Sequence, residues 1–118
     1  AQAVRDATPD FAALAKYEGR GVTITAPADD DTGQTHGGDD ALDFVSRFFA
    51  PRLRVAEDPV TGSVHALLGP YWGEHLGRTT LEAAQCSPRG GRLGVALDDT
   101  RVTLIGQAVT VLSGQLWH

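Results

Sequence analysis

The chain has no methionine, one cysteine and one lysine. A lone cysteine, Cys86, excludes an internal disulfide and leaves the redox compartment open. No apolar run approaches the ~20 residues that a membrane span needs, and the start lacks a basic region followed by an apolar stretch. A soluble, cytoplasmic protein is therefore expected, with no membrane partner. Positive charge is also scarce: 10 Lys and Arg stand against 15 Asp and Glu, a net charge of −5. Without a basic patch to displace counterions from phosphates, nucleic acid is not an expected partner. A first residue of Ala1 and the missing methionine suit a processed or cut piece. The 118 residues fit a single domain over 1–118, large enough to bury about two-thirds of its unfolded surface.

What is present centres on residues 57–72. An acidic pair, Glu57 and Asp58, precedes Pro59 and the turn Thr61-Gly62-Ser63, which leads straight into an apolar-periodic segment. Pro59 pushes Asp58 out of the α region and ends any structure arriving from upstream. Thr61 or Ser63 can cap a helix, and Gly62 lets the backbone approach a ligand with no Cβ in the way. The open amides of a first helical turn, at the positive end of the dipole, suit a carboxylate or phosphate. An ionised Asp58 beside them favours an acid that also carries an amine or hydroxyl. A plain capped helix with an exposed aspartate explains the same residues.

The run Glu57-Asp58-Pro59-Val60-Thr61-Gly62-Ser63-Val64-His65 resembles the E-D-P-V-T-G-S-A-H signature of the PhzF-like phenazine biosynthesis family. Asp43 to Pro51 (DFVSRFFAP), Gln85 to Gly91 (QCSPRGG) and Gly106 to Val111 (GQAVTV) resemble further blocks of that family, in the same order. The resemblance implies a diaminopimelate epimerase-like fold: two domains of like topology, each a curled, mostly antiparallel sheet around a central helix. This chain is similar to the second, C-terminal domain only. It is expected to be α+β, with its central helix at about residues 62–76. The family's catalytic glutamate belongs to the first domain, and no segment here resembles the block around it.

Along the chain, Thr8 as cap and Pro9 at the first helical position predict a short helix ending before Gly19. Residues 21–26 alternate and read as a strand. The acidic, glycine-rich stretch 27–40 reads as a mobile surface loop. Metal binding by His36 and its aspartates is disfavoured, because glycines hold no geometry. Residues 41–50 are a strand by family likeness, although periodicity also allows a short helix. Arg52 and Arg54 are candidates to contact a substrate or Glu57. In the helix, Val64, Leu67, Leu68, Tyr71, Trp72 and Leu76 form one apolar stripe. Trp72 is expected in the core, and Gly69-Pro70 predicts a kink. Strands are expected at 80–86, 92–97, 101–105 and 107–112, with a turn at Asp98-Asp99-Thr100. Cys86 is read as structural.

By resemblance the whole protein is an isomerase without metal or organic cofactor, moving a proton within a small amino- or hydroxy-carboxylic acid. The implied roles are Asp58 at the catalytic site holding the substrate's polar substituent, and Gly62 and Ser63 binding its carboxylate. His65 stands one turn from Gly62, at the pocket mouth or as a satisfied polar group at a domain seam. Arg89, between a proline and two glycines, can hold a carboxylate bidentately or stand exposed on a plain tight turn. Val64 replaces the family's usual alanine and is expected to narrow the pocket. The partner is the missing first domain or a second copy of the chain. A non-catalytic homodimer that binds acids, or an interaction protein derived from the fold, is the alternative.

Overall fold

The computed structural model describes residues 1–28 and 41–117. Most of the acidic stretch, with the His36 metal reading, lies outside the described residues.

The N-terminal segment forms two single-turn helices, α1 (Gln2–Arg5) and α2 (Phe11–Leu14). Asp10, not Thr8, caps α2, its Oδ1 accepting from Ala13 N–H at 3.0 Å. The chain then enters strand β1 (Val22–Pro27), strand β2 (Phe44–Phe49), a 3-10 turn at Pro51–Leu53 and helix α3 (Gly62–Leu76). Strands β3 (Thr80–Gln85), β4 (Gly91–Asp98) and β5 (Arg101–Ile105) follow. The class is α+β with a mostly antiparallel sheet, as expected, but the sheet does not curl around the helix: it is open and five-stranded, in the order β1-β2-β3-β4-β5, with α3 on one face.

Every neighbouring pair is antiparallel except β2 and β3. A parallel pair needs a crossover of a dozen or more residues, and here it contains α3. Consequently the loop before α3 leaves the carboxyl end of β2, and the Ser46–Gln85 pair at the end of the shared register lies beside it.

Strand β2 does not alternate in burial, because both of its faces are covered. One face meets α3 and the main cluster of Phe44, Trp72, Leu81, Ala83, Leu93 and Val95. The other meets the N-terminal segment: Phe49 packs edge-to-face on Phe11, and Arg47 donates to carbonyls at the end of α1. That double burial hides a strand from a period-two reading.

Helix α3 begins and ends where expected, with Gly77 in the left-handed conformation at φ 64°. It runs unbroken through Pro70. The stripe it buries differs from the expected one. Val64, His65, Gly69, Trp72 and Gly73 are buried, while Leu67 is 77% and Tyr71 49% exposed. Glycine is the reason: a Cβ on Gly69 would stand 2.7 Å from Val95 Cγ1, and one on Gly73 2.9 Å from the Arg78 carbonyl. The helix lies on its small residues, which a count of apolar side chains does not register.

Trp72 is core, as expected. Its ring stacks on Phe44 at 5.7 Å, and its Nε1–H donates to Thr25 Oγ1 at 2.9 Å. The expected strand at 107–112 is not formed. Residues 106–117 have no regular structure, and Val109, Val111 and Leu112 are each at least 85% exposed. They follow the edge strand β5, and β-branched residues make a strand only where a neighbour takes their backbone hydrogen bonds. No helix among the described residues is long and apolar enough to cross a membrane.

Candidate active-site half at the start of the central helix

The loop from Glu57 to Thr61 is held at both ends. Upstream, Arg47 lies on the β2 face turned away from α3 and forks Glu57, Nε to Oε1 at 2.7 Å and Nη2 to Oε2 at 2.9 Å. The same guanidinium donates to the carbonyls of Arg5 and Ala7 at 3.1 and 2.7 Å. Both side chains of the pair are only about a tenth exposed, and the hydrogen bond to Glu57 raises the Arg47 pKa. Glu57 is therefore a structural anchor. Neither expected arginine takes that role: Arg52 donates to the Tyr17 carbonyl, and Arg54 adopts the left-handed conformation in the turn after the 3-10 segment.

Downstream, the loop is held by β3 and the turn after it. Gln85, only 1% exposed, accepts from Thr61 N–H at 2.8 Å. Its Nε2 donates to the Asp58 carbonyl at 2.6 Å and to Thr61 Oγ1 at 3.1 Å. Ser87 Oγ donates to the Pro59 carbonyl and accepts from Gly90 N–H, each at 2.9 Å. Gly91 is required by close approach, since a Cβ there would collide with the Val60 side chain.

Thr61 occupies the N-cap position, yet its hydroxyl donates to Asp58 Oδ2 instead of capping the helix. Among the described residues no acceptor takes the N–H of Gly62, Ser63 or Val64. Three orphan donors therefore point out of the helix start next to a carboxylate. Gly62 and Ser63 are exposed, and a Cβ on Gly62 would meet only Leu104 Cδ1 at an ordinary 3.5 Å. Packing therefore does not require glycine there.

The structure brings Asp58, Gly62 and Ser63 together but separates two other expected residues from them. His65 is fully buried and does not reach a pocket mouth. Its ring faces Phe44 at 5.9 Å. Its Nδ1–H donates to the Thr61 carbonyl at 2.9 Å, which leaves Nε2 to accept from Ser46 Oγ at 3.3 Å. Both nitrogens are taken by the fold, so His65 is a satisfied polar group within the core of this domain and not at an exposed seam. Arg89 is exposed in the turn that Ser87 ties to Pro59, and it makes no hydrogen bond or ion pair with the described residues. Val64 does not narrow the site, because it turns inward against Phe48 and Ala50. Cys86 is half-buried, its N–H donating to the Ser46 carbonyl at 2.7 Å. Gln85, Ser87 and Arg47 escaped assignment from sequence. All three sit in family-like blocks, but nothing local says which loop they face.

Burial pushes the His65 pKa below its ordinary value, with the Thr61 carbonyl bond opposing. In the unfolded chain the ring titrates near about 6.5. Between that pH and the lower folded value, the unfolded state binds more protons. Stability therefore falls as pH drops below about 6.5 and levels off once the buried ring is protonated too. Urea midpoints at pH 7.5 and 5.5 check this: the wild type is expected to lose more than His65→Gln, and equal losses contradict it.

The helix start is an open surface. The larger recess described, about 430 Å³ beside the β4–β5 turn and lined by Pro70, Leu97 and Asp98, lies elsewhere. No group of three or more His, Cys, Asp or Glu residues that could hold a metal occurs among the described residues. The start of α3 thus combines open amides, an adjacent carboxylate and an exposed side in an α+β domain. The chain belongs to the Phenazine biosynthesis-like protein family (PhzC-PhzF), which it matches over residues 1–114.

An uncharacterized isomerase of Pseudomonas aeruginosa is 49% identical over 98% of this chain and 40% of its own length. The human phenazine biosynthesis-like domain-containing protein is 54% identical over 71% of this chain and 30% of its own. The crystal structure of a PhzF-family phenazine biosynthesis protein from Enterococcus faecalis superposes with TM-score 0.75 at 48% identity, covering 89% of this chain and 36% of that one. A PhzC/PhzF protein of Clostridium difficile gives 0.79 at 40% identity, covering 99% and 41%. The chain thus spans at most about 40% of the length of these relatives.

Proposed function

We propose that this chain is the carboxylate-binding half of a cofactor-independent isomerase acting on a small amino- or hydroxy-carboxylic acid. The observation that carries this reading is that the amides of Gly62, Ser63 and Val64 have no acceptor among the described residues, with the Thr61 hydroxyl bonded to Asp58 instead of capping one of them. A substrate carboxylate takes those amides, and Asp58, through its remaining oxygen, takes the amine or hydroxyl on the neighbouring carbon. Arg89 adds positive charge from the adjacent turn. Family membership and the isomerase relatives support the reaction class. The acid and base come from the complementary part of the protein, which we place opposite the open side of the helix start.

The test is titration calorimetry of the chain with alanine and lactate. Asp58→Ala is expected to weaken alanine binding about tenfold, the loss of one charge-assisted hydrogen bond. Gly62→Ala is expected to weaken both acids while leaving stability unchanged or raised by about 0.4–1 kcal/mol, since the position tolerates a Cβ. If neither variant changes affinity, or the wild type binds neither acid, the reading fails and the signature is a helix start alone.

A further inference from the structure

The geometry points to Gln85 as a positioning residue that orients the Asp58 carboxylate and keeps the first turn of α3 uncapped, a role that rests on the acid-binding reading of this site. A strand-terminal side chain that is 1% exposed normally fills space. This one spends both ends of its carboxamide on a single loop. Its oxygen takes the Thr61 N–H, and its nitrogen reaches the Asp58 carbonyl and Thr61 Oγ1.

The consequence follows from hydrogen-bond valence. The Thr61 hydroxyl has one proton and two acceptor positions. By accepting from Gln85, it is turned so that its proton goes to Asp58 Oδ2. That single relay engages one Asp58 oxygen, and the other has no hydrogen-bond partner among the described residues. In the orientation that these two bonds hold, the Thr61 oxygen makes no capping bond to an N2 or N3 amide. Gln85 thus does from a strand what a capping-box glutamate does from a helix: it satisfies the N-cap N–H, but with the opposite outcome for the remaining donors. The parallel pairing of Ser46 with Gln85 brings the carboxamide to the loop, because both strand ends face the start of the crossover helix.

The experiment compares Gln85→Met, similar in length and without hydrogen bonds, with the wild type, using alanine and propionate as probes. Alanine carries the amine that Asp58 holds, and propionate does not. Propionate is expected to weaken as the freed Thr61 oxygen competes for the amides, and alanine is expected to weaken about tenfold more than propionate. A merely structural role would weaken both together, and an equal loss for both probes, or no loss for either, overturns the proposal. Should Gln85→Met fail to fold, Thr61→Val interrupts the same relay with little change of shape and is expected to give the same selective loss. An unselective effect there overturns the proposal as well. If the wild type binds neither acid, the acid-binding reading fails on its own. The positioning role is then decided by amide hydrogen exchange, since Gln85→Met frees the Thr61 oxygen to cap and should slow exchange at Ser63 and Val64. Unchanged exchange overturns it.

Discussion

Replacing Arg47 by alanine is expected to lower the unfolding free energy by about 3–5 kcal/mol, the usual cost of leaving a buried charge without its partner. Arg47 and Glu57 are 11% and 10% exposed, so solvent screens their fork little. The guanidinium also serves the carbonyls of Val4, Arg5 and Ala7, which Arg47→Ala would leave short of a donor. In a domain of this size the loss lowers Tm by more than about 10 °C. It would take a large share of the roughly 5–15 kcal/mol that holds such a domain together. Arg47→Lys keeps the charge but not the fork and recovers only part of the loss. Because Glu57 directly precedes Asp58, the variant should also weaken acid binding at temperatures where it remains folded. A thermal melt checks the main effect. A Tm within about 2 °C of wild type would mean that the N-terminal segment is not held through this arginine.

Truncating Phe44 to alanine is expected to cost a similar amount, about 3–5 kcal/mol, as for other buried Phe→Ala changes. Phe44 is fully buried between the Trp72 ring at 5.7 Å and the His65 ring at 5.9 Å. The cavity would open between β2 and α3, the two elements that carry the loop, so neighbouring side chains cannot close it without moving the helix. Phe44→Leu keeps most of the volume and is expected to cost less than about 1.5 kcal/mol if the core repacks. Urea denaturation, with near-ultraviolet dichroism reporting on Trp72, distinguishes the two. Equal, small losses for both variants would contradict the packing described.

The sequence was most legible where local chemistry and family blocks agreed. Gly62 and Gly77 bracket α3 as its helix-start and left-handed-cap chemistry require, and strands β3 and β5 alternate because one face is open. Legibility failed where a residue answers to something distant in sequence. Strand β2 looks ambiguous because α3 covers one face and the N-terminal segment the other. Gly69 and Gly73 turn α3 away from its leucine stripe, and no apolar count sees a glycine. His65 stands one turn beyond Gly62, yet the helical turn carries its ring inward to Ser46. Gln85 is invisible locally, since its meaning depends on the parallel register that sets it beside Ser46. The residues 107–112 have strand chemistry without a strand, because pairing is a property of two segments and the described chain supplies one.

The most direct measurement of the central claim is an amide-resolved nuclear magnetic resonance titration of the chain with alanine. If the helix start binds carboxylate, the amides of Gly62, Ser63 and Val64 shift together and saturate at one affinity, and in Asp58→Ala the same shifts need about tenfold more alanine. Shifts confined to other residues, or none at these three amides at saturating acid, would contradict the assignment of this helix start as the binding half of the site.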